Sequence, residues 1–321
     1  MSTYRCFGFL VLIRATSGQL DPARRKTPLK RSQFCGIIFR LCLSVSTHKK
    51  QNKRTIKQEN FYHFIDMKGE NMRNITFEKV KKTFGEVTAI NGLDLSIFEG
   101  EVYALLGHNG AGKTTTLRLL LGLLEPDNGS ITVFGSNPIK EGNAVRSMCG
   151  VLSEDVGLYE PLTVYDNLMY YADIYGMSRI ESNKRIDELL SRFDLFDKKG
   201  LIVKGFSTGM KKKVALIRAM LHKPRILLLD EPTNGLDPVS TTDLRNMLSE
   251  LAKEQGTTII MTTHNLEEVQ KMCDKISIFR HGQNIFTDSI SSLKDSDHYM
   301  EHGQFSLEKL YMDIETKGAR E

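Results

Sequence analysis

The stretch that decides the fold is Gly107-His108-Asn109-Gly110-Ala111-Gly112-Lys113-Thr114, which matches the pattern G-x-x-x-x-G-K-[ST] at every fixed position. Residues 102–106, directly before it, are mostly apolar and predict a short buried strand. Residues 115–124, directly after it, carry leucines at helical spacing and predict a helix. A strand, a glycine-rich loop and a helix in this order are the context that the pattern requires. The sequence therefore predicts a loop that binds phosphate groups.

The chemistry of this loop follows from its residue types. Its glycines allow the backbone to turn successive N–H groups toward phosphate oxygens, at the positive end of the helix dipole. We expect Lys113 to reach the β- and γ-phosphates of a nucleotide, and the Thr114 hydroxyl to bind Mg²⁺. Thr115, at the start of the predicted helix, belongs to the same binding set. The alternative is a glycine-rich turn that matches the pattern by chance.

The 321 residues carry a formal charge of +5, which is unevenly distributed. Residues 1–66 contain 13 Lys and Arg against 3 Asp and Glu, whereas residues 67–321 contain 31 basic and 36 acidic residues. A basic segment thus precedes a mildly acidic body. The five cysteines show neither metal-ligand spacing nor a disulfide framework, which fits a reduced, cytosolic setting. No apolar run approaches the roughly 20 residues of a membrane-spanning helix, so a membrane function requires another polypeptide.

The basic segment shows no sustained periodicity and does not predict a packed domain. It could be a cleaved targeting peptide or a tail that binds nucleic acid or anionic lipid. We favour a third interpretation, in which translation begins at Met67 or Met72. The predicted organisation is an extension over 1–71, a domain over 72–298 with a helical subdomain at about 157–222, and a short tail with a helix over 299–321.

Strand patterns frame the phosphate loop on both sides. Leu93, Leu95 and Ile97 alternate with polar residues, as half-buried strands do, and a Pro-Asp-Asn-Gly turn at 126–129 leads into another strand. Short strands are also predicted at 149–153, 225–229, 258–261, 276–279 and 285–286. The run at 225–229 is apolar after its first residue, which is typical of a central strand in a parallel sheet.

Helical patterns fill the intervals between these strands. Residues 162–175 and 180–193 predict two helices, the first with a capping box that begins at Thr163. Pro238 is expected to open a long helix, and Ser306–Met312 predict a final amphipathic one. The mixture of parallel strands, antiparallel strands and helices predicts an α/β fold.

Further chemistry-bearing residues follow the loop in a fixed order. Asp230 ends an apolar strand and is expected to hold Mg²⁺, while the adjacent Glu231 is placed to activate a water molecule. The segment 207–209 lies 23 positions before Asp230 at a predicted helix start, where anions bind. His264 lies 34 positions beyond Asp230. Each signal is moderate alone, because buried strands often end in acidic residues and single histidines are more often structural.

Taken together, residues 74–290 resemble the ATP-binding cassette family. Residues 107–114 are similar to its Walker A loop, and 226–231 to its Walker B strand with the catalytic glutamate. Residues 206–210 resemble the signature loop, with Thr208 in place of the first glycine and Met210 in place of the glutamine. The remaining family positions are Ser207 and Gly209 in the signature loop, Asp237 in the D-loop, His264 as the switch histidine, and Phe84 as the aromatic residue that stacks on adenine.

The resemblance implies a fold class and a cofactor set. The fold would be a P-loop NTPase core with a mixed or parallel sheet, an antiparallel β subdomain and a helical signature-loop subdomain. The cofactors would be ATP and Mg²⁺, and Lys113, Glu231 and His264 would be the catalytic residues. One position departs from the family pattern, because Glu154 occupies the place of the Q-loop glutamine. The family residue supplies an oxygen near Mg²⁺ or the attacking water, and Glu154 keeps that oxygen but adds a negative charge.

The resemblance also implies partners and a location. Two such domains pack head to tail in the family, so Ser207 and Gly209 would complete the site of a second copy or a paralogue. Residues 157–164, the signature loop and residues 306–311 resemble exporter-type members, which implies a separate transmembrane permease subunit and a peripheral position at the cytoplasmic face of the membrane. Two alternatives remain: a soluble family member acting on nucleic acid or the ribosome, and a small-molecule P-loop kinase. The acidic body disfavours nucleic acid as a partner.

Overall fold

The computed structural model describes residues 74–295, 299–301 and 304–318. The predicted extension over 1–71, the alternative starts at Met67 and Met72, and the predicted domain end at 298 lie outside these residues. Across the part of the chain that is described, no helix combines the length and the apolar character needed to cross a membrane.

The phosphate-loop strand lies inside a predominantly parallel sheet. The sheet has the order β5-β6-β7-β3-β8-β9, with only β9 antiparallel to its neighbour. Its strands are β3 (Val102–Leu106), β5 (Cys149–Leu152), β6 (Ile226–Asp230), β7 (Thr258–Thr263), β8 (Lys275–Arg280) and β9 (Gln283–Ser289). All five residues of β3 are buried. The prediction of a buried strand before the phosphate loop is confirmed.

A second, antiparallel sheet has the order β2-β1-β4 and consists of β1 (Asn74–Phe84), β2 (Val87–Phe98) and β4 (Asn128–Val133). The alternation predicted for Leu93, Leu95 and Ile97 is confirmed, since all three are buried. Their partners across the sheet are buried residues of β1, including Phe77, which is paired with Leu95. The turn predicted at 126–129 overlaps the first two residues of β4, which begins three residues before its first apolar residue, Ile131.

The two sheets and the helices share two hydrophobic cores. Because strand side chains alternate between faces, Leu227 and Leu229 face one core and Leu228 the other. The first core includes most helices, and the second includes the antiparallel sheet and the helix after the phosphate loop.

The helices are α1 (Lys113–Leu120), α2 (Gly142–Ser147), α3 (Val164–Ile174), α4 (Arg179–Arg192), α5 (Thr208–Met220), α6 (Pro238–Gln255), α7 (Leu266–Met272), α8 (Ile290–Lys294) and α9 (Leu307–Gly318). Two 3₁₀ turns (Phe196–Lys198, Val203–Gly205) and a two-residue hairpin, β10 (Met300–Glu301) with β11 (Gln304–Phe305), complete the described elements.

Several helix boundaries and one capping interaction differ from the predictions. Helix α1 starts at Lys113, two residues earlier than predicted, and ends at Leu120 before a turn that contains Gly122. Thr163 caps α3 by accepting the Asp166 N–H, but the full reciprocal capping box is found at α4, between Ser178 and Glu181. The last helix continues to residue 318, because its apolar positions pack on the first core.

His222 and Tyr175 connect the helical region to the parallel sheet. Their rings stack with centroids 3.8 Å apart. The Nε2 atom of His222 lies 3.1 Å from the carbonyl oxygen of Cys149, the first residue of β5. Burial lowers the pKa of His222 from 6.5 to about 4, so the ring is neutral at pH 7.

We predict that mild acid destabilises the fold through His222. The unfolded ring titrates near pH 6.5 and the folded ring near pH 4. Between these values the unfolded chain binds more protons, so the free energy of unfolding falls as the pH falls. For a half-buried ring the expected loss is about 1 to 2 kcal/mol between pH 7 and pH 5.

Urea unfolding at both pH values measures this loss. The variant His222→Gln keeps an N–H donor for the Cys149 carbonyl but does not titrate, and its loss should be smaller. An equal loss in the variant and the wild type would contradict the assignment to His222.

Candidate functional site

Lys113 occupies a buried position at the first residue of α1. Its Nζ atom donates hydrogen bonds to the carbonyl oxygens of Gly107, at 2.5 Å, and His108, at 3.2 Å. Burial lowers the pKa of Lys113, and the carboxylates of Glu231 and Asp230 oppose this effect. The ammonium group therefore lies within the curve of the predicted phosphate loop.

The N-terminus of α1 has no side-chain cap. Gly112 occupies the N-cap position, and no acidic residue lies in the first turn. The first backbone N–H groups of a helix have no partner within the helix, and the dipole makes this end positive. An anion such as a phosphate group fits this end of the helix. Thr114 and Thr115 are half-buried there, within the same first turn.

The turn between β8 and β9 supports the other side of the loop. The Gly282 N–H donates to the Ala111 carbonyl at 3.1 Å. The imidazole ring of His108 meets that of His281 edge-on, with centroids 5.7 Å apart. The Nδ1 atom of His108 lies 2.9 Å from the Asn109 carbonyl oxygen. The loop thus has a fixed shape that depends on residues some 170 positions away, by subtraction of the residue numbers.

Asp230 connects the phosphate loop to two neighbouring strands. Its Oδ2 atom lies 3.4 Å from the Thr114 hydroxyl, and its Oδ1 atom accepts a short hydrogen bond from the Thr262 hydroxyl. A hydroxyl and a carboxylate are the hard oxygen ligands that divalent cations such as Mg²⁺ prefer, with further ligands from water and substrate phosphates. The structure thus brings two of the predicted metal ligands, Thr114 and Asp230, together at one point.

Glu231 and His264 meet beside Asp230. The His264 Nδ1 atom lies 3.0 Å from the Glu231 Oε1 atom. The Glu231 side chain is only 14% exposed, whereas that of His264 is 70% exposed. Strands β6 and β7 are adjacent and parallel, so the residues that follow them lie at the same edge of the sheet. This arrangement places a carboxylate and an imidazole together near the phosphate loop.

The predicted signature residues lie elsewhere, beside the D-loop. Ser207 caps α5 by accepting the Met210 N–H at 3.3 Å, and a Cβ atom on Gly209 would lie 3.5 Å from Leu236 Cδ2. An open hollow of about 480 Å³ is lined by residues of both loops, including Ser207, Thr208, Gly209, Gly235 and Asp237. No phosphate-loop residue is among those that line the hollow in the described part of the chain.

Asp237 caps a helix in the structure. Its carboxylate accepts hydrogen bonds from the Ser240 N–H, at 2.9 Å, and the Val239 N–H, at 3.1 Å, and so caps α6. Pro238 occupies the first helical position, as predicted. These hydrogen bonds to the charged form lower the pKa of Asp237.

Phe84 and Glu154 both lie at the surface. Phe84 ends β1, and its ring is 46% exposed. Glu154 is exposed in the loop that follows β5. The buried Arg218 fixes this loop, because its guanidinium group donates to the carbonyl oxygens of Val156, at 2.6 Å, and Val151, at 3.3 Å.

Sequence reasoning missed two buried cations on α5, Lys212 and Arg218. Lys212 donates to backbone carbonyls of the turn that follows Asp230. The sequence does indicate the burial of Lys212, because helical spacing places it on the same face as the apolar Leu216 and Ala219. A lysine on an apolar stripe requires partners when it is buried.

Comparison with known proteins identifies the family. The family model described as ABC transporter matches residues 90–234. The ABC transporter ATP-binding protein NatA of Bacillus subtilis (strain 168) is 40% identical over 239 residues, which are 74% of this chain and 96% of the relative. The chain belongs to the ABC transporter family. Within it, the chain is an ATP-binding and ATP-hydrolysing subunit.

Other relatives and solved structures agree with this. The bacitracin transport ATP-binding protein BcrA of Bacillus licheniformis is 39% identical over 202 residues, 63% of this chain and 65% of the relative. The Nod factor export ATP-binding protein I of Paraburkholderia xenovorans (strain LB400) is 37% identical over 223 residues, 70% and 73% of the two chains.

Two structures have the same fold. An ATP-binding subunit of an ABC transporter superposes with a TM-score of 0.67 at 29% identity, covering 75% of this chain and 99% of the other. A dimeric cassette in a post-hydrolysis state, bound to ADP and Pi, superposes with a TM-score of 0.62 at 25% identity, covering 67% and 98%. The predicted fold class of this ABC subunit is thereby confirmed.

We predict that Gly112→Ala destabilises the protein more than Gly110→Ala. Gly112 has a φ of 107°, and a Cβ atom there would lie 2.7 Å from the Ala89 carbonyl oxygen. Gly110 has a φ of 87°, but its Cβ atom would meet no atom within 4 Å. The Gly110 variant isolates backbone strain of about 1 to 2 kcal/mol, and the Gly112 variant adds a clash for a total of about 3 kcal/mol or more.

Denaturant unfolding without nucleotide measures both variants. If both variants lose the same free energy of unfolding, the close approach of residue 112 to Ala89 in β2 does not explain the glycine at this position.

Proposed function

We propose that this chain is the motor subunit of an exporter-type ABC transporter, and that it binds Mg²⁺-ATP with residues 107–115 and hydrolyses it with Glu231. The observation that supports this most is that the Asp230 carboxylate lies 3.4 Å from the Thr114 hydroxyl of the phosphate loop, with the Glu231–His264 pair at the same edge of the parallel sheet. A small-molecule P-loop kinase would have no need of the Glu231–His264 pair.

Each residue of the convergent set has a distinct chemical task. Lys113 neutralises charge on the β- and γ-phosphates, and the uncapped start of α1 binds the phosphate oxygens. Thr114 and Asp230 would hold Mg²⁺, and we assign Glu154 to the same ion from its Q-loop position; the ion would neutralise charge that develops on the phosphates. Glu231 accepts a proton from the attacking water, and Phe84 stacks on the adenine ring.

His264 orients the base and contacts the γ-phosphate. Its Nδ1–H donates to Glu231, and the Nε2 atom of the largely exposed ring donates to a γ-phosphate oxygen when it carries a proton as well. In this role, His264 holds the Glu231 carboxylate in place, so that the carboxylate can accept a proton from a water molecule positioned for in-line attack.

The signature residues act on a second copy or a paralogue. Ser207, Thr208, Gly209 and Asp237 line a hollow that excludes the phosphate loop of the same chain in the described residues. A head-to-tail dimer would bring this hollow against the nucleotide of the partner, and the similar cassette bound to ADP and Pi is dimeric. We therefore expect ATPase activity to depend on protein concentration.

The transport path belongs to a separate transmembrane permease. We propose that the subunit lies at the cytoplasmic face of the membrane, attached to that permease, and that transport is outward. The Nod factor export protein and the bacitracin transport protein, which are relatives of this chain, support this direction. The alternative, action on nucleic acid or the ribosome, requires a basic face, whereas residues 67–321 carry more acidic than basic residues.

We predict that Glu231→Gln preserves ATP binding and blocks turnover. The amide cannot accept a proton, so the rate constant for hydrolysis should fall about 100-fold or more, while the affinity for ATP changes less than about threefold. Size-exclusion chromatography with ATP should then show a trapped dimer. Glu267→Gln, which removes an exposed carboxylate paired with Lys271, is the matched control. Wild-type turnover in Glu231→Gln would refute the assignment of the base.

Purification of the tagged protein from a detergent extract of its own cells tests the transport role. We expect a multispanning membrane protein to co-purify in stoichiometric amount, and nuclease treatment to leave the complex intact. Recovery with ribosomes or DNA in place of a membrane protein would favour the alternative.

A further inference from the structure

Lys212 is a buried cation that lies outside the set described above. It occupies the second turn of α5, and the residue is 6% exposed. Its Nζ atom donates to the carbonyl oxygens of Glu231, at 2.9 Å, and Pro232, at 3.3 Å, and makes a shorter contact with that of Asn234. A single ammonium group, with three donors, therefore holds three carbonyls of one turn.

The turn that Lys212 holds begins with a strained residue. Glu231 has a φ of 49°, in the left-handed region that residues other than glycine rarely adopt. Such a conformation persists only where surrounding contacts fix it. Two contacts do so on either side of the residue, because the Glu231 N–H donates to the Thr262 carbonyl at 2.9 Å and the Glu231 carbonyl accepts from Lys212. Together they determine where the Glu231 carboxylate points.

Nearby carboxylates favour the charged form of Lys212, which donates these hydrogen bonds. Burial lowers the pKa of its ammonium group, and the carboxylates of Glu231 and Glu154 oppose that effect. The neighbouring lysines differ in this respect. Lys211 pairs with Glu160 at 2.5 Å and Lys213 with Asp243 at 3.8 Å, and both are half-buried at the surface. Of these three consecutive lysines, Lys212 is the one that binds the turn.

We propose that Lys212 is a positioning residue for ATP hydrolysis, and that it acts by holding the Glu231 peptide so that the carboxylate faces the attacking water. The proposal rests on the assignment of Glu231 as the base. Lys212 lies five residues after Ser207 on one helix, a rise of about 7 Å. Helix α5 thus joins the signature loop, which serves a second copy, to the base that serves its own site.

Steady-state ATPase assays on Lys212→Met test this role. Methionine keeps much of the apolar stem but donates no hydrogen bond, so kcat should fall about tenfold or more while KM for ATP stays within about threefold. Lys212→Gln supplies a neutral donor on a shorter side chain and should recover part of the loss. Lys211→Gln, which removes a surface ion pair with Glu160 on the same helix, should keep nearly wild-type kcat.

A second comparison separates positioning from a general effect on folding. In the Glu231→Gln background, Lys212→Met should lower the residual single-turnover rate by less than about threefold, because the group that it positions is already inactive. If Lys212→Met does not fold, as judged by thermal unfolding and binding of a fluorescent ATP analogue, Lys212→Gln replaces it in both backgrounds. Equal losses in the two backgrounds, a loss confined to KM, or unchanged kcat would overturn the proposal.

Different outcomes refute the positioning role of Lys212 and the assignment of Glu231 as the base. If Glu231→Gln alone retains wild-type turnover, the base assignment fails. If Glu231→Gln is inactive but the Lys212 variants behave like Lys211→Gln, only the positioning role fails.

Discussion

The order of the parallel strands is the constraint on which the site depends. Strands β6, β7 and β3 are neighbours, and each ends at the same edge of the sheet. The residues that follow them, Asp230 with Glu231, His264, and the phosphate loop, therefore meet although the loop and His264 are about 150 residues apart. Ligands of open α/β sheets bind at this carboxyl edge. Asp230 holds these segments together, because its carboxylate accepts hydrogen bonds from the hydroxyl groups of Thr114, which follows β3, and Thr262, within β7.

Two buried cations on α5 join the helical region to the loops around this edge. Lys212 binds carbonyls of the turn at 231–234, and Arg218 binds carbonyls of Val156 and Gly157 in the loop after β5, while its guanidinium group lies over the Tyr171 ring. Both groups donate charge-assisted hydrogen bonds to backbone carbonyls. One helix contacts both loops, and Ser207 of the signature loop is its N-cap. A displacement of α5 would therefore move the backbone at Glu231 and the loop that contains Glu154 together.

Most of the fold could be predicted because its signals are local. The pattern at 107–114 fixes a strand, a loop and a helix, and the alternation at Leu93–Ile97 fixes the antiparallel sheet. Boundaries were less accurate, since Gly122 ends α1 early and the complete capping box formed at Ser178 and not at Thr163. These depend on backbone conformation and side-chain geometry, which residue identity only favours.

The sequence by itself determined the family, the phosphate loop and the identity of the acidic and histidine residues, because each is a short pattern with its own chemistry. Only the tertiary structure decided which of three consecutive lysines is buried. It also decided that Glu231 adopts a left-handed conformation held by Thr262 and Lys212. These facts arise from contacts between residues distant in the chain, and such contacts form only when the sheet and helices pack.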